Sequence, residues 1–263
     1  MYKVLKRNNG RLLSPFQNYE YEPGKGYVCP NFDEDKTEDC SHGYYATEID
    51  GLIYSFRNLP GYEVWEVEVG GKRVEIDQFK RRYERIRLIR QVPYAEIKKL
   101  AQAEEERVGY RLTEALFPVN PLKIERTGPV TKDEIELLKQ WASVRDSVMD
   151  SVWDSVRASV GALVGASVWA SVRDSVMASV WDSVWDSVWD SGWAYVSSLF
   201  PNVTKWEHID HPEGVNPFQH GVDLWHRGLV PSYDGEVWRL HAGEKAEVVW
   251  QGSFERTGGG ERQ

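Results

Sequence analysis

The sequence predicts an α+β protein with a β-rich N-terminal domain, a helical connector, a central tetrapeptide-repeat solenoid and a small α/β C-terminal cap. Fourteen tetrapeptides of the form Ser-Val-x-Asp/Ala follow one another without an insertion from Ser143 to Ser198. Short alternating segments between turn residues come before them, and a short helical pattern with a meander comes after. The four expected parts are residues 1–97, 98–142, 143–198 and 199–263.

Two hairpins are predicted in the β-rich part. The first joins Tyr2–Lys6 to Arg11–Leu13 through an Asn-Asn-Gly turn, whose residues accept positive φ. The second joins Val64–Val69 to Lys72–Ile76 at a Gly-Gly pair, with apolar and acidic residues alternating between the two faces. Ile86–Val92 is predicted to be a further strand.

Two helices are predicted before the repeat. Pro93 precedes a run of apolar residues at helical spacing from Tyr94 to about Phe117, and Pro118 ends it. Thr131 and Glu134 form a capping-box pattern, and the helix that begins there carries its apolar period into the repeat.

A short helix and a meander are predicted after the repeat. The helix lies within Pro217–Gly228, with proline near its start and glycine past its end. The strands of the meander are Val230–Tyr233, Glu236–His241 and Ala246–Gln251.

The variable third position of the repeat holds Trp, Arg, Met and Gly alike, so we expect it to face outward and valine to face inward. Residues four apart on an α-helix are offset by about 40°, and the valine stripe would circle one continuous helix in about 36 residues. This mismatch favours a solenoid of short coils, each of which supplies the core of its neighbour. The alternative is a helical hairpin that turns near Gly161–Gly165.

Composition limits the classes of function. The net charge of −9 argues against nucleic-acid binding by release of counterions. The sequence has no apolar run of 18 residues, so we expect no membrane partner. The first residues lack the apolar segment of a signal peptide, which predicts a cytoplasmic protein. Two cysteines do not form a disulfide framework.

Several segments resemble known families. Tyr21–Tyr27, Cys40–Ala46 and Val64–Val69 resemble an uncharacterised domain of phage and prophage proteins, in which a second aromatic residue or His follows the glycine where Tyr45 stands here. Ala115–Lys123, the repeat and the segment 229–241 are similar to tetrapeptide-repeat proteins predicted in phage and metagenomic genomes. These resemblances imply a viral or prophage origin and no mechanism.

The candidate chemical sites are weak. Cys29, Cys40 and His42 supply metal-ligand types, but a structural zinc site needs four ligands and no second pair has matching spacing. His208 and His211 lack a HExxH-type pattern. No nucleophile elbow or phosphate-binding loop is present, so we predict no catalytic residue, metal or cofactor.

Tryptophan in the variable position is the strongest sign of a binding surface, because large exposed apolar patches usually mark one. The predicted binding residues are Trp153, Trp169, Trp181, Trp185, Trp189 and Trp193. Aspartates in the fourth position form a second row, which could imitate phosphates. These are Asp146, Asp150, Asp154, Asp174, Asp182, Asp186 and Asp190.

The leading hypothesis is a non-enzymatic phage or prophage interaction or assembly protein, whose tryptophan-bearing repeat binds a second copy or a protein partner. A second hypothesis is an enzyme or small-ligand or nucleotide binder with its site in the N-terminal domain, where the repeat serves assembly alone. A third is a DNA mimic that acts in counter-defence, although three arginines among the aspartates reduce the acidic charge of the array.

Overall fold

The computed structural model describes residues 1–177 and 185–254, and for Met177 and residues 185–188 it describes the backbone alone. The chain divides into two compact units, Met1–Val108 and Gly109–Gln263, which we call the N-terminal and C-terminal units. The secondary structure is mixed α+β. Within the described ranges, no helix combines the length and the apolar character that a membrane span requires.

The N-terminal unit is built on one strongly curled antiparallel sheet that forms a half-barrel. Its strands lie in the order β3-β2-β1-β6-β7-β4, and β5 pairs with β7. They are β1 (Tyr2–Asn8), β2 (Arg11–Leu13), β3 (Glu20–Tyr21), β4 (Gly26–Val28), β5 (Tyr44–Ala46), β6 (Tyr62–Glu75) and β7 (Arg81–Val92).

The first predicted hairpin is confirmed, because β1 pairs with β2 around Asn9 and Gly10, both at positive φ. The second was placed wrongly. The chain runs straight through Gly70 and Gly71 in β6, and the register with β7 shifts there. Gly71, with φ of 75°, occupies this bulge, and a bulge is the other common use of glycine in a strand.

Residues on both faces of this sheet are buried, with Val4 and Val64 on one face and a core cluster on the other. Leu5 from β1 and Leu88 from β7 are fully buried there beside Trp65 from β6. Helix α1 (Leu52–Ser55) and helix α2 (Tyr94–Val108) complete the unit. The predicted helix from Tyr94 ends earlier than expected, because Gly109 adopts φ of 79° and a separate short helix, α3 (Leu112–Leu116), follows it.

The C-terminal unit combines helices with a three-stranded meander. Thr131 and Glu134 form the predicted capping box at the start of its first long helix. The helices are α4 (Lys132–Val144), α5 (Val148–Val160), α6 (Ala162–Met177), α7 (Trp185–Ser198) and α8 (Gln219–His226). The strands are β8 (Val230–Tyr233), β9 (Trp238–Ala242) and β10 (Glu247–Gly252), paired in the order β10-β9-β8, as the sequence predicts.

The repeat is helical in its described part and shows no solenoid, so the first expectation was wrong and the helical alternative is closer. The drift of the valine stripe was calculated for one unbroken helix. A short 3₁₀ turn before α5 and Gly161 after it divide the array, so α5 carries only about three tetrapeptides and a drift of about 120°. Gly161 has φ of 95° and ψ of 154°, a conformation that ends a helix.

The predicted inward position of valine is confirmed in the described repeats. Serine is buried beside it, and its small volume lets the helices approach closely. The buried valines are Val148, Val152, Val156, Val164, Val168, Val172 and Val176. The buried serines of the repeat's first position are Ser151, Ser155, Ser167, Ser171, Ser175 and Ser191.

Candidate functional site: an aromatic cavity with a buried lysine

The N-terminal unit contains a cavity of about 480 Å³. It lies beside β1 and β5 and is closed by the segments around residues 14–21 and 38–43. Its size falls in the range of cavities that hold small organic ligands. Aromatic residues contribute much of its wall, and they are Tyr2, Phe16, Tyr19, Tyr21, Tyr44, Tyr45, Tyr54 and Phe79.

Four tyrosines form a single cluster at one side of this cavity. Tyr21 meets Tyr19 edge-on at 5.0 Å and Tyr27 at 5.4 Å, measured between ring centroids. Tyr44 approaches Tyr19 at 5.8 Å, and their hydroxyls lie 3.5 Å apart. Burial raises the pKa of Tyr21 and Tyr44, so both phenols stay neutral at physiological pH.

Phe16 and Tyr54 stand on another side of the cavity, with their ring centroids 6.3 Å apart. Phe16 is 70 % exposed. An aromatic side chain this exposed is not part of the folded core. It is available to cover the apolar face of a molecule that enters the cavity.

Lys3 is the most unusual residue of the cavity. It lies on β1 directly opposite Trp65 of β6, and it is two residues from Leu5. Directly paired residues share one face of an antiparallel sheet, as do residues two apart on a strand. Lys3 therefore occupies the core face of the half-barrel, where it is 7 % exposed.

The ammonium of Lys3 has polar contacts but no acidic one in the described part of the chain. Its Nζ donates a hydrogen bond of 2.8 Å to the carbonyl oxygen of Tyr45 and lies 4.9 Å from the centroid of the Tyr21 ring. Burial without a carboxylate disfavours the charged form. It lowers the pKa of Lys3 to about 7, from an ordinary value of 10.5.

Lys80 is a second amine at the same cavity, in a different environment. Its Nζ forms an ion pair of 2.8 Å with Asp39 and lies 4.7 Å from the centroid of the Tyr45 ring. Burial is the largest single influence and opposes its charge, but the hydrogen bond with Asp39 and the charge interactions with Asp39 and its neighbours together outweigh burial and raise the pKa of Lys80. Lys80 therefore stays protonated, whereas Lys3 is divided between its two forms near neutral pH.

Arg82 anchors the acidic loop that forms part of the cavity wall. It is fully buried, and its guanidinium donates to the carbonyl oxygens of Glu38, at 3.0 Å, and of Asp35. Gly43 makes room for it, because a Cβ there would lie 2.5 Å from Cγ of Arg82. One buried arginine thus ties the acidic loop to the sheet, and the loop supplies Glu38 and Cys40 to the cavity.

The weak candidate metal ligands of the sequence are not grouped into a metal site among the described residues. Cys29, Cys40 and His42 all border the cavity, and both cysteines are free thiols. His208 pairs with Asp154 at 2.8 Å, and Nε2 of His211 accepts a hydrogen bond from the backbone of Trp206. Among the described residues, no three His, Cys, Asp or Glu side chains are grouped so that they could hold a metal ion.

The predicted binding tryptophans pack largely against one another. Trp169 stacks on Trp193 with centroids 4.3 Å apart and meets Trp189 edge-on at 4.8 Å. Trp153 meets Trp193 edge-on at 6.3 Å, and Trp193 is buried. Trp181 lies outside the described residues, and Trp185 is described only by its backbone in α7.

Four carboxylates in the described part of the aspartate row pair with cations. Asp154 pairs with Arg157 as well as His208, and Asp174 pairs with Arg173. Arg145 lies between Asp146, at 3.1 Å, and Asp190, at 3.3 Å. Asp182 lies outside the described residues, as does the side chain of Asp186. The DNA-mimic hypothesis stays a prediction.

Sequence reasoning missed the cavity. The available signal was Lys3, which stands on a predicted strand at the position that alternation assigns to the core face, two residues from Leu5. The tyrosines gave no such signal, because β3, β5 and the loop between them must be brought together before Tyr21 and Tyr44 become neighbours.

These features define a cavity beside a curled antiparallel sheet, with aromatic side chains and two lysines in its wall. Comparison of the chain with protein-family models, with curated proteins and with solved structures found no match.

Proposed function

We propose that the N-terminal unit binds a small molecule with a planar apolar body and an anionic group. The observation that carries this proposal is Lys3, a buried amine without an acidic partner among the described residues, at the wall of an aromatic cavity. An unpaired buried amine weakens the fold, and such groups concentrate at functional sites. An anionic ligand would supply the missing partner.

The aromatic wall supports a planar body for the ligand. Tyrosine rings present flat apolar faces and edges, and they pack favourably against other rings at centroid distances of about 4.5–7 Å. Lys80 supplies a second positive charge close to Tyr45, although Asp39 neutralises part of it. The site therefore fits a ligand of one or two rings with a carboxylate, sulfonate or phosphate.

The test uses two fluorescent probes of the same shape. 1-Anilinonaphthalene-8-sulfonate carries an anionic group, and N-phenyl-1-naphthylamine does not. We expect the native chain to bind the sulfonate more tightly. We expect Lys3→Met to weaken that probe about tenfold to a hundredfold, as for a lost charged hydrogen bond, and to leave the neutral probe nearly unchanged.

Two surface variants locate the binding. Phe16→Ser removes an exposed ring at the cavity, so it should weaken both probes. Ile89→Ser removes an exposed apolar side chain of β7 that does not line the cavity, and it should change neither. Equal effects of the two variants would mean that the probes bind elsewhere, and the proposal would fail.

Self-association or partner binding through the tryptophans of the repeat is a separate proposal, as is a phage or prophage origin. What supports the former is that Met149, also in the variable position, is 43 % exposed and that Trp153, Trp169 and Trp189 are only partly buried.

A further inference from the structure

Lys3 differs from an ordinary anion-binding lysine because its amine spends much of its time uncharged. The cause is its place in the fold. Trp65 lies across the strand pair, the Tyr21 ring lies beneath the ammonium, and Nζ donates a hydrogen bond to the neutral carbonyl oxygen of Tyr45. A lysine desolvated in this way has a free electron pair on nitrogen near neutral pH, which makes it a nucleophile.

The other amine of the cavity does not share this property. Lys80 is held as an ammonium by Asp39, so it offers charge and no free electron pair. Lys3 can therefore meet a ligand in two ways. Its protonated form pairs with an anionic group, as proposed above, and its neutral form can react with an aldehyde, in which case Lys80 is the positive charge that remains for the anionic group.

We propose that Lys3 forms an imine with an aldehyde that has a planar body and an anionic group. This inference rests on the proposed function, since it names the chemical class of the ligand that the cavity takes. The neutral tyrosine hydroxyls and the carbonyl oxygen of Tyr45 leave the lysine as the reactive amine of the cavity wall.

The step is balanced without an oxidant or a reductant. The nitrogen of Lys3 adds its electron pair to the carbonyl carbon and forms a carbon–nitrogen bond. The carbonyl oxygen takes up both hydrogens of the amine and leaves as water, and a carbon–nitrogen double bond remains. Hydrolysis reverses the step, so the ligand is held covalently but reversibly.

Reductive trapping tests the inference on the full chain. The probe is 4-formylbenzoate with sodium cyanoborohydride at pH 7.5, and the label is located by mass spectrometry. We expect Lys3 to be labelled at least tenfold faster than Lys6, an exposed lysine on the same strand. The fragment ions in the mass spectrum must distinguish a label on Lys3 from a label on the α-amino group of Met1.

The dependence of the trapping rate on pH gives a second readout. Labelling of Lys3 should reach half of its maximum near pH 7, and labelling of Lys6 in the same samples is the reference. If Lys3 reacts no faster than Lys6, or follows the same pH profile, the imine is overturned.

Lys3→Arg tests whether the label depends on the amine of Lys3, because arginine forms no imine under these conditions. We expect this variant to lose the label at position 3 while Lys6 is still labelled. Sulfonate binding and labelling, both measured on the native chain, separate this inference from the proposed function. Sulfonate binding by the native chain without labelling at Lys3 would overturn the imine alone. Absence of both would overturn the two proposals together.

Discussion

Single side chains set the properties of the cavity, and Lys3 shows how. Lys3 shares one face of β1 with Leu5, as alternation along the strand requires, and both faces of the strand are covered at this point. A core position of this kind would normally hold an aliphatic residue, as Leu5 does. The lysine therefore lowers the stability of the unit in exchange for a reactive group at the cavity wall.

Replacement of Lys3 by methionine should stabilise the N-terminal unit. Methionine fills a similar volume without a charge to desolvate, and such replacements of buried charged groups typically gain about 1–4 kcal/mol. The free energy of unfolding, measured by urea denaturation at pH 7, should rise by an amount in this range. A loss of stability in the Lys3→Met variant would contradict our account of the site.

The same substitution should change the dependence of stability on pH. The pKa of Lys3 is about 7 in the fold and 10.5 in the unfolded chain, so between these values the unfolded chain binds more protons. Native stability should therefore rise with pH across this window. The difference between native chain and Lys3→Met should shrink from pH 7.5 to 9.5, and a Lys6→Met control should show no such trend.

Two helical glycines of the repeat, Gly165 at the variable position and Gly192 at the valine position, each lie against a neighbouring side chain. Gly165 lies in α6 so close to α5 that a Cβ would be 3.2 Å from Val156. Gly192 replaces the usual valine in α7, and a Cβ there would be 3.0 Å from the ring of Trp169. These contacts explain departures from the repeat that look random in the sequence.

At the scale of elements, the break between α5 and α6 decides the structure of the repeat. Each helix is short enough for its valines and serines to stay on one face, and the break starts the next helix in a new direction.

Asp154 of α5 also forms a hydrogen bond with His208 and so holds the loop that contains this histidine. The hydrogen bond with Asp154 raises the pKa of His208, so this contact is strongest in slightly acidic solution.

Gly161→Ala should destabilise the C-terminal unit by about 1–3 kcal/mol, since its φ and ψ belong to a region that is essentially limited to glycine. No atom would meet the added Cβ within 4 Å, so backbone strain alone is tested. Gly165→Ala, four residues later in a helical conformation, is the matched control. Its gain in helix propensity offsets its tight contact with Val156, and we expect little change. Thermal unfolding of both variants measures the difference.

At the scale of the whole molecule, the burial of the repeat's tryptophans bears on whether the repeat joins two chains or packs within one. Trp193 is 5 % exposed and contacts Trp153 and Trp169, so its described surroundings belong to the same chain. Burial of this kind is what a core tryptophan shows. A surface that joins two chains would instead leave its aromatic residues exposed before association.

Trp193→Ser should therefore lower the stability of the C-terminal unit by about 3–5 kcal/mol, the usual cost of removing a buried tryptophan, and leave the molar mass unchanged in light scattering. Met149→Ser, at the exposed variable position, should affect stability little. A fall in molar mass for Met149→Ser would instead favour assembly through the repeat.

Much of the local structure was predictable. The hairpin of β1 and β2, the capping box of α4, the inward valines and the closing meander follow from turn residues, caps and periodicity, which act over a few neighbouring residues. The hairpin at Gly70-Gly71 failed because glycine suits a turn and a bulge equally well. The cavity was missed because Lys3, Tyr21 and Tyr44 are far apart in sequence and meet only in the curled sheet.

The sequence by itself determined the α+β class, most of the short elements and the inward face of the repeat. The tertiary structure decided whether the repeat is a solenoid or a set of helices. The face that each helix buries depends on where Gly161 interrupts the chain and on which neighbouring elements pack against that helix. It also decided that the described tryptophans pack on each other. A lysine on a short strand became a buried amine beside tyrosines only when the sheet curled, since desolvation is a property of the surroundings and not of the residue.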